Sequence, residues 1–210
     1  MLFIKLARTG EEKRVGEAGG VAPKSKIQLP ITNYFVMGKI LEIIQLGDPV
    51  LRTKAQLVEN IQDLRIQRLI DDLITTVKQA NGVGIAAPQV RVSDRLFVIA
   101  SRPNPRYPNA PEMEPTAIIN PKILAHSTDI IKGWEGCLSI PGIRGLVPRY
   151  QAIEVEYTDH NGKLQKQEMT DFVARIFQHE HDHLDGIVFL DRLETTQDIV
   201  TEQEYQKRIV

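Results

Sequence analysis

Residues 170–185 read TDFVARIFQHEHDHLD, and the periodicity of this stretch decides the fold. At about 100° per residue, Phe172, Val173, Ile176, Phe177 and Leu184 form one apolar stripe of a helix. Thr170 or Asp171 can cap its start, and Gly186 supplies its stop. His179, Glu180 and His183 fall within that stripe, whereas His181 and Asp182 project away from it. A carboxylate and two imidazoles on a core-facing side are expensive unless a partner satisfies them. His179 and His183 stand one helical turn apart, so both rings can reach one cation. Glu180 beside them completes the HExxH arrangement, in which the glutamate acts on metal-bound water. The alternative at this point is a pair of hydrogen-bonded core histidines. His181 reads as a solvated surface residue, as do His126 and His160 on other segments.

Outward from this helix the chain alternates short apolar runs with turn signals. A second long helix is expected over 61–80, where Ile66, Leu69, Ile70, Leu73, Ile74 and Val77 share a face. It should stop at Asn81-Gly82. Residues 39–45 form a short apolar run closed by the turn Leu46-Gly47-Asp48-Pro49, and 95–100 read as a buried strand. Further strands are expected over 116–124, 130–134 and 152–158. The hairpin turn Asp159-His160-Asn161-Gly162 leads into another over 163–169. Between them, 101–115 hold Pro103, Pro105, Pro108, Pro111 and Pro115 and can only be a loop. The expectation is an α+β fold: a single domain of mixed or antiparallel strands around a central HExxH helix, with the second long helix before a glycine motif.

Composition excludes several classes. In 210 residues, 26 Lys and Arg stand against 27 Asp and Glu, a net charge of −1, without the basic excess of a dedicated nucleic-acid binder. No stretch approaches the ~20 apolar residues that span a bilayer. The N-terminus lacks a signal-peptide h-region and is a poor transit peptide, so the expected location is cytoplasmic. Residues 1–38 read as a weakly ordered extension, with Met37 an alternative start, and 194–210 as a charged tail without a clear amphipathic helix. One cysteine, Cys137, rules out an intrachain disulfide and is compatible with a reducing compartment.

Two further segments carry chemistry. Gly82-Val83-Gly84-Ile85-Ala86-Ala87-Pro88-Gln89 allows close backbone approach and ends in an amide donor. No Lys-Ser/Thr pair follows, so it is not a phosphate cradle. Cys137 sits in Glu135-Gly136-Cys137-Leu138-Ser139. A lone cysteine is usually a small buried hydrophobe, but two spare imidazoles on a buried face leave room for a third partner.

The three segments GVGIAAPQ, EGCLS and QHEHDHLDG, in this order, resemble the signature motifs of the peptide deformylases. The resemblance runs over about 39–193, which would be the catalytic domain. It implies a hydrolase that removes the N-formyl group from the N-terminal formylmethionine of new polypeptides and releases formate. It further implies that Cys137, His179 and His183 hold one divalent metal, Fe²⁺ in most of the family, with Zn²⁺, Ni²⁺ or Co²⁺ as alternatives. Glu180 would be the general acid/base, and Gln89 and the Leu138 backbone N–H would stabilise the oxyanion. Val83, Gly84 and Gly136 would lie along the substrate, with Phe172 and Ile176 forming its side-chain pocket. Glu135 and Arg144 are a candidate supporting ion pair, and Arg175 adjoins the pocket. The implied partners are N-formylmethionyl nascent polypeptides and, with them, the ribosome. Rival readings are a metallopeptidase on the same helix and a non-catalytic binding module with a structural zinc. The upstream position of Cys137 speaks against the first, and the intact Glu180 against the second.

Overall fold

Strand β2, Leu96–Ile99, is fully buried along its length and organises the molecule around itself. Its side chains alternate between two apolar layers. Leu96 and Val98 meet helix α1, Leu64–Gln79, on one face, and Phe97 and Ile99 meet helix α2, Asp171–Leu184, on the other. The computed structural model describes residues 38–209, which fall in one compact unit. The expected extension 1–38 therefore lies, Gly38 apart, outside the described residues.

Two antiparallel sheets flank α2. The larger has the order β1-β2-β3-β6-β7 and contains β1 (Gly84–Ala86), β3 (Thr116–His126), β6 (Ala152–Thr158) and β7 (Leu164–Thr170) beside β2. The smaller has the order β4-β5-β8 and contains β4 (Ile130–Cys137), β5 (Ile140–Tyr150) and β8 (Ile199–Thr201). A short helix α3, Glu202–Ile209, follows β8. The described residues are thus α+β, with antiparallel sheets and three α-helices. None of these helices is long and apolar enough to cross a membrane.

Helix α1 begins at Leu64 rather than at 61, because Asp63 caps it by accepting from the Arg65 N–H at 2.8 Å. It ends where Asn81 takes the left-handed conformation, φ 50°, and the Gly82 N–H returns to the Val77 carbonyl at 2.9 Å. Strand β5 is the main element that sequence patterning does not predict. Pro141, Gly142, Gly145 and Pro148 argue against a strand, yet β5 is the middle strand of the smaller sheet. It tolerates both prolines because β8 pairs only with Ile143, Arg144 and Gly145, leaving the outer edge at Pro141 and Pro148 without a ladder to break. Residues 39–45 form no ladder. Instead, the Ile44 N–H donates to the Gln89 carbonyl at 2.9 Å, and the Leu46 N–H to the Ser139 carbonyl at 2.8 Å. The segment thereby straps the glycine motif to the cysteine motif.

Candidate metal centre

The cleft lies where edge strand β1 of one sheet and edge strand β4 of the other face α2. Helix α2 starts without a side-chain cap, and Asp171 takes φ 53° while its carboxylate accepts from Gln151. Its last turn closes on Gly186 at φ 74°. His179, Glu180 and His183 are buried, as the wheel requires. His181 and Asp182 point away from the cleft, but they do not reach solvent as surface residues. Asp182 is 5% exposed and accepts from Arg149 at 2.6 Å and from Arg192 at 2.6 and 3.1 Å. His181 is half-buried beside Arg95, at 3.0 Å, and burial pushes its imidazole below the ordinary value. A helical wheel identifies faces but not how many layers cover them, and α2 is packed on both sides. His126 and His160 are exposed.

Cys137 is brought to the two histidines by β4. Along this strand Glu135 and Cys137 face α2, and Gly136 faces away. The Cys137 Sγ lies 3.3 Å from His183 Nε2, and the donor atoms of Cys137, His179 and His183 all fall within 4.8 Å of one another. Sγ also accepts from the Ser139 N–H at 3.4 Å and from Gln89 Nε2 at 3.5 Å. Burial alone would raise the Cys137 thiol, but the neighbouring imidazoles overcome it and hold the thiol well below its usual range.

The His179 ring is fixed by Glu135, which accepts from Nδ1 at 2.9 Å. A carboxylate only accepts, so a ring proton sits on Nδ1, which leaves Nε2 as the nitrogen available to the site. Glu135 is itself buried and held by Arg149 at 2.9 and 3.1 Å and by Arg175 at 2.9 Å. Burial would raise its carboxyl, but Arg149 and His179 hold it well below the usual carboxylate range. The expected Glu135–Arg144 pair does not form. Arg144 stands opposite Gly136 in the ladder and so points to the other face of the sheet from Glu135. There it meets Glu202 at 2.5 and 3.0 Å and lies between the rings of Tyr107 and Tyr205, 5.0 and 4.9 Å from their centroids. Within the charged tail expected over 194–210, β8 and α3 close the outer side of this sheet. Arg175 lines the cleft but spends its donors on Glu135 and on the Gly133, Val147 and Ile131 carbonyls.

Glu180 is 4% exposed, and its Oε2 has no hydrogen-bond partner among the described residues. Burial pushes its carboxyl up to about 7. Gly84 lies against it: a Cβ there would sit 2.5 Å from Glu180 Oε1. Gln89 is oriented by its own loop, because its Oε1 accepts from the Ala86 N–H at 2.9 Å and turns Nε2 toward Cys137 and Ser139. Val83, Gly84, Gly136, Leu138, Phe172 and Ile176 all line the cleft, which holds about 470 Å³, its open mouth included. Sequence patterning missed Arg149, Arg106 and Tyr107. Only the odd placement of a lone Arg or Tyr among prolines and glycines could have marked them.

The donor set suits a transition metal: one thiolate and two imidazoles, converging and buried, with an unpartnered carboxylate oxygen on the same wall. Three such donors on a cleft beside a buried carboxylate fit a class, the metal-dependent hydrolases. Residues 40–198 match the polypeptide deformylase family. Peptide deformylase 2 of Nostoc sp. is 71% identical over 171 residues, 81% of this chain and 96% of the relative. Peptide deformylase 2 of Shewanella oneidensis is 45% identical over 79% of this chain and 91% of its own length. The structure of a class I type b peptide deformylase from Acinetobacter baumannii with Met-Ala-Ser bound superposes with a TM-score of 0.72 at 42% identity, covering 75% of this chain and 100% of that one. The chain belongs to the polypeptide deformylase family. Its activity is the family's: hydrolysis of the N-formyl group from newly made polypeptides.

Proposed function

We propose that Cys137, His179 and His183 hold one divalent ion, Fe²⁺ as in most of the family, and that Glu180 is the acid/base of deformylation. The observation that carries this is the convergence of three buried donors beside a buried glutamate with a free oxygen. When bound, the ion supplies a Lewis acid that polarises the formyl carbonyl and acidifies a water. Glu180 takes a proton from the attacking water and returns it to the departing amine nitrogen as the C–N bond breaks, leaving formate and a free N-terminus. Gln89 Nε2 and the Leu138 N–H face the charge developing on the formyl oxygen. The pinned Gln89 carbonyl supports this role, since the amide cannot flip without losing the Ala86 bond. Both β1 and β4 are edge strands, so a substrate chain would lie between Val83-Gly84 and Gly136 as an added strand. Its first side chain would enter between Phe172 and Ile176. The Acinetobacter relative carries Met-Ala-Ser, and we propose the same class of peptide here.

The catalytic domain in this reading spans 39–193, with α2 its HExxH helix, and works on nascent chains as they leave the ribosome. A thiolate ligand and a ferrous ion both need reducing surroundings, which supports a cytoplasmic location. Formate release from formyl-Met-Ala-Ser by the Fe²⁺- or Ni²⁺-loaded protein tests the assignment. Glu180→Gln should lower kcat by about 10²–10⁴-fold with metal content unchanged. Undiminished release by that variant would overturn the role of Glu180.

A further inference from the structure

The proline-rich segment 101–115 has no part in the chemistry above, yet it forms one wall of the cleft. Its tip is a built turn. Asn104 and Tyr107 exchange backbone hydrogen bonds at 3.2 and 3.0 Å, and the Asn104 Oδ1 accepts from the Arg106 and Tyr107 N–H groups at 2.9 and 3.1 Å. Pro103, Pro105 and Pro108 restrict the backbone around it. The base is tied where Ser101 Oγ donates to the Pro111 carbonyl at 2.6 Å and the Met113 N–H to the Ser101 carbonyl at 3.0 Å. Two side chains are thereby presented to the cleft on a rigid support.

Tyr107 is fully engaged. Its hydroxyl donates to the Gly136 carbonyl at 3.4 Å, and its ring lies 5.5 Å from Phe172. Arg106 is not. Its Nη2 lies 3.1 Å from the point a Cβ on Gly136 would occupy, and its guanidinium stands 5.8 Å from the Tyr107 ring centroid. Among the described residues it makes no ion pair and donates no side-chain hydrogen bond. The carboxylates nearby are already taken. Glu135 belongs to Arg149, Arg175 and His179, and Glu202 bonds Arg144 while only its field reaches Arg106. The outer cleft therefore carries two guanidiniums, Arg106 and Arg144, against the single carboxylate of Glu202, a net positive charge set against the strand along which the substrate backbone would run.

We propose that Arg106 is a specificity-determining residue that favours peptides carrying a carboxylate side chain on the second or third residue. A planar guanidinium recognises a carboxylate with two parallel hydrogen bonds, which a lysine or a neutral residue at that place cannot accept. The proposal rests on the strand-like placement of substrate along Gly136 given above.

The test separates binding from turnover. The chain has one tryptophan, Trp134, and it lines this cleft, so its fluorescence reports occupancy directly. Metal-loaded protein is titrated with C-terminally amidated Met-Ala-Ser, Met-Glu-Ser, Met-Ala-Glu and Met-Lys-Ser, in which only a side chain can supply a carboxylate. The glutamate peptides should bind about three- to tenfold more tightly than Met-Ala-Ser, and the lysine peptide more weakly. The preference should vanish in Arg106→Gln, persist in part in Arg106→Lys, and reverse toward Met-Lys-Ser in Arg106→Glu. It should also fade near 1 M salt, where screening acts within about 3 Å. With the formylated peptides the advantage should appear in KM and leave kcat unchanged. Equal binding of acidic, neutral and basic peptides overturns the proposal, as does an acidic preference that survives Arg106→Gln. Acidic preference without formate release supports it while refuting the catalytic assignment. Normal release without preference refutes it alone.

Discussion

Gly84 sets how near the β1 backbone comes to the Glu180 carboxylate. Because a Cβ there would sit 2.5 Å from Glu180 Oε1 and 2.9 Å from its Cδ and Cγ, any side chain pushes Glu180 off its position. Gly84→Ala should therefore fold normally yet lose about 10–100-fold in kcat, since a displacement near 1 Å is enough for such a loss. Steady-state kinetics beside a thermal melt would check this, and a fall in melting temperature without a fall in kcat would contradict it. The glycines of GVGIAAPQ announce a close approach in the sequence, but not what is approached. Glu180 lies nearly a hundred residues further along, and only the packed fold supplies it. The same limit hides Arg149. Its bonds to Glu135 and Asp182 join β5, β4 and α2, and no local pattern marks an arginine as buried.

At the scale of elements, β8 and α3 act as a brace on the strands that carry the cysteine. Glu202 holds Arg144, whose side chain is fully buried, and Tyr205 covers both Arg144 and Trp134. Arg144 hydrogen bonding holds the Glu202 carboxyl below its ordinary value. A depressed carboxylate stabilises the fold fully above its unfolded value, about 4.3, and loses that contribution as pH falls through the folded value. Glu202→Gln should then cost about 1–2 kcal/mol at pH 7. The loss of a fully buried pair would cost more, but the Glu202 side chain is 33% exposed and solvent screens it. Urea midpoints of the two proteins should converge as pH drops toward about 3. A difference that grows on acidification would refute the linkage. Sequence patterning misses α3 because its contacts are an ion pair and rings stacked on guanidinium groups, and apolar periodicity is blind to both. It places β6 and the buried β2 well, where alternation or a continuous apolar run is the whole signal.

On the scale of the whole molecule, the proposed ligand set draws on separate layers: Cys137 from the small sheet, His179 and His183 from the helix between the sheets. An ion held there would link β4 to α2 in the native state only. Metal-loaded protein should consequently melt higher than chelator-treated protein, by an amount equivalent to about 2.7 kcal/mol when free metal is a hundredfold above its Kd. Cys137→Ala should shrink that difference, and differential scanning calorimetry with and without chelator would measure it. An α+β class, two long helices and the three motif segments are legible in the sequence because each is a local pattern. Sheet order is not, since β3 pairs with β6 across the whole β4–β5 hairpin. That hairpin has a consequence in time as well as in space. During synthesis β4 and β5 emerge well before β8, with all of α2 in between. The outer edge of β5 at Ile143, Arg144 and Gly145 must therefore wait, unpaired, until Ile199–Thr201 arrive. The site can then be complete only late in translation, and a chain halted before β8 would present the cysteine on an unfinished sheet.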